Sequence, residues 1–205
     1  LTLAAYVDNI FALAENAKNA TRLIDEFDKF VWEHWSQKIK PSSRAILLPK
    51  GHSPMQVSLT KWSWHANMNV LGHTVQGNAE TDIAWEETEK KALKVFHGSR
   101  RVTRFSHIAA DLQNGAHRQA ILPYLCFRLV GQPLSETRLY QVQKFQRMVV
   151  KSSIKVDKTN RSQTDIQREI NRLATAHMDK FGYWHQTVAT SWLRYYDHAR
   201  RAYSR

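Results

Sequence analysis

Apolar residues return every three or four positions through most of this chain, the spacing of helices with one buried face. Leu3, Val7, Ile10, Leu13, Ala14 and Ala17 keep it first; Leu23, Phe27, Phe30, Val31 and Trp35 keep it next. Pro41 stops the second run. The two segments predict an antiparallel helical pair, or one long helix bent near Asn19. Residues 41–78 break the rhythm. Within them Met55, Val57 and Leu59 alternate with Gln56, Ser58 and Thr60, which is a strand pattern. A short aromatic helix is expected to follow from Lys61.

Helical spacing resumes at 79. Thr81 to His97 reads as a charged helix anchored by Ile83, Trp85, Leu93 and Phe96. Gln113-Asn114-Gly115-Ala116-His117 is a turn signal ahead of an apolar helix over 116–130. A helix over 135–151, a polar connection over 151–163 and a helix over 164–181 follow. Thr164 with Gln167 is expected to open the last of these as a capping box, and Gly182 to close it. An aromatic helix from Tyr183 to Tyr203 completes the series. The expected fold is all-α, a helical bundle of about six to eight helices with one irregular or short-strand segment near 41–78. Its parts are an N-terminal helical hairpin or arm (1–40), an irregular loop or arm (41–78) and a basic helical bundle (79–205).

Composition supports long helices, since seven glycines and five prolines in 205 residues leave few turns. Hydrophobic residues at 42% and seven tryptophans exclude a disordered chain. The single cysteine, Cys126, excludes an internal disulfide and a cysteine-based zinc site, and its apolar surroundings point to a buried, inert thiol. No apolar run approaches the roughly 18 residues that cross a bilayer, and the sequence shows no signal peptide.

Charge changes the picture more than composition does. The formal net charge is +12, and it is unevenly placed. Residues 1–90 hold nine Lys and Arg against eleven Asp and Glu, whereas 91–205 hold twenty-one against seven. Helical spacing gathers the excess into three stripes: His97, Arg101, Arg104 and Ile108, with Arg100 adjacent; Lys144, Arg147 and Lys151 with Tyr140 one turn earlier; and Arg194, His198, Arg201 and Arg205. Lys155, Lys158 and Arg161 add charge to the polar connection. Trp184, Val188, Trp192 and Tyr195 fall on a separate stripe, expected to pack inward. Any one basic stripe is an ordinary solvated face; three in one half of a chain point to phosphates. Tyr140, Tyr196 and Tyr203 stand beside the cations as hydrogen-bond donors to phosphate. The nucleic-acid-binding residues expected from sequence are therefore Arg100, Arg101, Arg104, Lys144, Arg147, Lys151, Lys155, Lys158, Arg161, Arg194, Arg201 and Arg205.

Catalytic patterns are absent. The ten histidines form no HExxH, no phosphate-cradling glycine loop occurs, and no catalytic residue, metal or cofactor is expected. His97–Arg100 and His198–Arg201 fit the two-residue HxxR pattern of tyrosine recombinases, without the strands and glycine turns of that family.

Long helices, scarce glycine and proline, the basic stripes, the segment near 41–78 and a chain beginning at Leu1 together resemble the major coat proteins of filamentous and rod-shaped archaeal DNA viruses. The resemblance is architectural and transfers no individual residue. It implies a non-enzymatic virion protein that packages double-stranded DNA through its phosphate backbone. It also implies self-association, or pairing with a paralogous subunit, and no small-molecule substrate. The alternative is a cytoplasmic, DNA-associated regulator of a mobile element, with strand 54–60 as the ribbon of a ribbon-helix-helix dimer and Gln56, Ser58 and Thr60 toward bases.

Overall fold

In the computed structural model, which describes residues 2–6, 9–13, 16–40, 45–47, 63–70, 72–77, 81–103 and 108–203, the chain forms two compact units, 1–80 and 81–205. The protein is mostly helical.

The first unit departs from the all-α expectation. Strands β1 (Thr2–Tyr6) and β2 (Asn9–Leu13) pair antiparallel, with Tyr6 opposite Asn9. A helix was expected here because Leu3, Val7, Ile10 and Leu13 are spaced for one. The segments Leu3–Tyr6 and Ile10–Leu13 are also continuously apolar, which suits strands equally, and a two-residue connection favours a hairpin. The expected helical pair is thus one helix, α1 (Ala17–Trp35). It does not bend near Asn19 but starts there, because the Asn16 side chain accepts from the Asn19 N–H at 2.9 Å. It ends six residues before Pro41, on Ser36 in the left-handed conformation.

Strands β3 (Ala45–Leu47) and β4 (Ser63–His65) pair in parallel, and β5 (Asn67–Val70) and β6 (His73–Gln76) form a second hairpin. Gly72, with φ of 84°, takes a left-handed position in the latter connection. The expected aromatic helix from Lys61 is therefore replaced by strands, in keeping with the β-propensity of Trp64, Met68 and Val70. The expected strand over 54–60 lies outside the described residues.

The second unit is a bundle of five helices: α2 (Asp82–Thr103), α3 (Ala110–Val130), α4 (Glu136–Ser153), α5 (Gln163–Phe181) and α6 (Trp184–Tyr203). The bundle has fewer helices than the six to eight expected, partly because the first segment is a hairpin, and α1 in the first unit brings the helices among the described residues to six. Its core draws Trp85, Ala92 and Phe96 from α2, Ile121, Leu125 and Leu129 from α3, Val142, Phe145 and Val149 from α4, and Trp184 and Val188 from α6. Each fully buried aliphatic side chain contributes about 2 kcal/mol. A smaller cluster, Val150, Ala174 and Met178, fastens α5 to α4.

Two boundaries differ from expectation. The turn signal at 113–117 lies inside α3, because Asn114 and His117 face inward and are buried; packing overrides the Asn-Gly preference. Helix α5 opens on Ser162 rather than Thr164: the Ser162 hydroxyl accepts from the Asp165 N–H and donates to the Asp165 carboxylate. Gly182, with φ of 88°, closes α5.

Candidate nucleic-acid interface

Contacts between helices fix which basic residues are neighbours. Ser99 Oγ and His117 Nδ1 are 2.8 Å apart, so the end of α2 meets the start of α3. Arg118 donates to the Phe181 carbonyl, bringing the α5–α6 turn to the same end. Gln146 donates to the Gly182 carbonyl at 3.0 Å and accepts from the Trp184 N–H at 2.9 Å, which adds the second half of α4. Arg100 and Arg101 therefore lie toward the same end of the bundle as Arg147 and Lys151. The opposite end is held by Arg138, whose guanidinium reaches Thr81 and Asp82 at the start of α2.

The third stripe belongs to that opposite end. Ser191 contacts Cys126, which is half-buried, and the Trp192 indole donates to the Gln132 carbonyl just past α3. Arg194 and Arg201 lie beyond it. From His117 to Cys126 along α3, across to Ser191 and on to Arg201 is roughly nineteen residues of helix, on the order of 30 Å. The stripes on α2 and α4 thus lie toward one end of the bundle, and the stripe on α6 runs toward the other.

Individual residues differ in availability. Arg100, Arg101, Lys144 and Arg194 are exposed, while Arg147 and Lys151 are half-buried. Lys155, Lys158 and Arg161 are exposed on the connection 154–162, but Asp157 shares it. The Thr159 N–H and hydroxyl bind the Asp157 carboxyl and hold it below its ordinary range. Arg201 is exposed and tied to Asp197, Nη2 to Oδ2 at 3.1 Å, and Arg200 shares the same carboxylate at 3.4 Å. The third stripe is therefore partly neutralised by an acid one turn away. Arg104 and Arg205 lie outside the described residues.

Sequence spacing missed two kinds of feature. Arg128 and Arg138 add to the charge count yet are buried. Arg128 binds Thr88 and Glu87; Arg138 binds Gln141, Thr81 and Asp82 and lies over the Trp85 ring. Their charge is structural. The stripe expected to pack inward on α6 holds only for its first half: Trp184 and Val188 are buried, Trp192 is half-buried, and Tyr195 is 52% exposed. Past the end of α3 at Val130, the rest of this stripe is open among the described residues. Leu193, Tyr196, His198, Arg200 and Ala202 are exposed as well.

Two histidines at helix contacts, His117 between α2 and α3 and His177 between α3 and α5, favour the neutral form in the fold. Burial, reinforced by the Arg100 charge, pushes His117 below the ordinary histidine value, and burial does the same to His177 despite Asp111. A histidine whose folded pKa is depressed is neutral in the fold and takes up a proton on unfolding. Stability is then complete at neutral pH and is lost as pH falls through about 6.5. The urea midpoint is expected to drop between about pH 7.5 and 5.5, and less so in His117→Gln. A flat profile over that range contradicts the assignment.

Among the described residues no three His, Cys, Asp or Glu side chains converge to hold a metal, and no helix is long and apolar enough to cross a membrane. A shallow depression along α5, lined by Gln163, Gln167, Arg168 and Asn171, touches neither basic surface. No family model, curated protein or solved structure matches the chain.

Proposed function

We propose that this chain binds nucleic acid through its phosphates, without sequence selection, using the α2–α4 surface and the free end of α6. The observation that carries the reading is the last third of α6. It projects past the helix that would cover it, and it presents Arg194, His198, Arg200 and Arg201 together with open aromatic rings. A stretch so basic and so little buried gains little from the core, and polyanion binding is the chemistry its charge favours. The cations are spread over α2, α4, the connection 154–162 and α6 rather than gathered on one recognition helix or ribbon, which suits backbone contact over base reading.

The genome-packaging form of this reading drew on an all-helical architecture. The paired strands of the first unit do not bear on that form, and the proposal stops at the nucleic-acid backbone. The regulator reading rests on residues 54–60, which lie outside the described residues, and no other observation favours it.

Fluorescence anisotropy with labelled oligonucleotides of unrelated sequence, duplex and single-stranded, tests the proposal. Binding is expected at about 50 mM salt and should weaken steeply by about 200 mM, with affinities within about tenfold across sequences. Retention of neither form at the lower salt overturns it. So does selection of one sequence by about a hundredfold or more.

A further inference from the structure

We infer that the free end of α6 takes single-stranded rather than duplex nucleic acid, holding unpaired bases against its tyrosines. This rests on the proposed backbone binding and names the substrate of that site. Trp192 and Tyr196 are stacked, with ring planes 5° apart and centroids at 5.4 Å. The inner ring is fixed, because the Trp192 indole donates to the Gln132 carbonyl at 2.8 Å. The outer ring is not covered: Tyr196 is 57% exposed. The result is a rigidly anchored aromatic ladder with an open end, to which a further flat ring can be added.

Charge lies one turn away. Arg200 follows Tyr196 by four residues on the same side of the helix, and its guanidinium is held by Asp197. The same order recurs on α4, where Tyr140 is 67% exposed and Lys144 follows it by four residues. In both places an open tyrosine precedes a cation by one helical turn. A strand whose bases are free stacks on the rings while its phosphates meet the cations, the arrangement by which sequence-tolerant single-strand binders work. A duplex keeps its bases stacked on one another, so it can use only the tyrosine hydroxyls. The large exposed rings, which cost solvation as they stand, are accounted for by bases and not by phosphates alone.

Tyr196→Ala and Tyr196→Phe separate stacking from hydrogen bonding. The probes are fifteen-residue thymidine and uridine oligonucleotides and a duplex of mixed sequence, read by anisotropy at one salt concentration. Because Tyr196 is exposed, both variants are expected to melt with the parent. Tyr196→Ala is expected to weaken single-strand binding about tenfold and duplex binding much less, while Tyr196→Phe keeps the parent affinity for both. Adding Tyr140→Ala should weaken single-strand binding again. Equal losses for duplex and single strand, or a Phe variant as weak as the Ala variant, overturn the inference and leave backbone binding standing. If the parent retains no oligonucleotide at all, the broader proposal fails first.

Discussion

Gln146→Leu is expected to destabilise the helical unit by about 2–4 kcal/mol, the largest single stability effect in the basic half outside its aliphatic core. Gln146 is buried, and its amide completes two backbone groups at once: it donates to the Gly182 carbonyl and accepts from the Trp184 N–H. Trp184 is the first residue of α6, so its N–H has no partner inside its own helix. Leucine matches the shape and supplies neither bond. Each buried group left without a partner costs about 1–3 kcal/mol. The loss is also located. Gln146 fastens α4 to the turn between α5 and α6, so hydrogen exchange at the start of α6 should accelerate ahead of global unfolding. Urea unfolding of the helical unit measures the first effect. A change below about 0.5 kcal/mol would mean that the turn holds without this side chain.

The second large effect concerns binding. Reversal of Lys144, Arg147 and Lys151 to Glu is expected to lower affinity for every oligonucleotide about a hundredfold or more at low salt. The salt slope should become shallower by about 0.7–0.9 for each phosphate contact removed. Arg194→Glu with Arg201→Glu should act at the other end, roughly additively, since along the same helical path Arg194 lies roughly 18 Å and Arg201 roughly 30 Å from the α2 stripe. Within that pair the residues are not equivalent. Arg201 already holds Asp197, whereas Arg194 is exposed and makes no ion pair among the described residues. Arg194→Glu alone should therefore weaken binding more than Arg201→Glu alone. Anisotropy on the single variants reads the difference, and the reverse order would show that Asp197 does not compete with phosphate.

Much of the helical unit was legible in the sequence, for reasons that particular residues make plain. Helix α4 matches its expected span because Val142, Phe145 and Val149 are core residues at helical spacing between a serine cap and a polar connection. Gly182 ends α5 as expected, since its positive φ suits glycine. The failures share one cause. Asn114-Gly115 reads as a turn locally, and only the packing of Asn114 and His117 inside the bundle keeps α3 continuous. Leu3 to Leu13 suits a helix or a hairpin equally, and pairing decided it.

The candidate site followed the same rule. Spacing places cations on common faces of α4 and α6, but it does not reveal whether a neighbouring helix covers those faces. It could not show that Arg128 and Arg138 are buried, nor that α6 outruns α3 and leaves Tyr195 and Tyr196 open. Helix order in space, not spacing along the chain, sends the stripes toward two ends of the bundle. The side of Asp197 on which each arginine falls was also a question of rotamer, visible only in three dimensions.

The most direct test of phosphate binding is the slope of log affinity against log salt, compared between the parent chain and a variant carrying Glu at Lys144, Arg147, Lys151 and Arg194. A steep slope for the parent, shallower in the variant by about 3, is the predicted result. Equal slopes in two well-folded proteins would contradict it and would mark both surfaces as solvated helix faces.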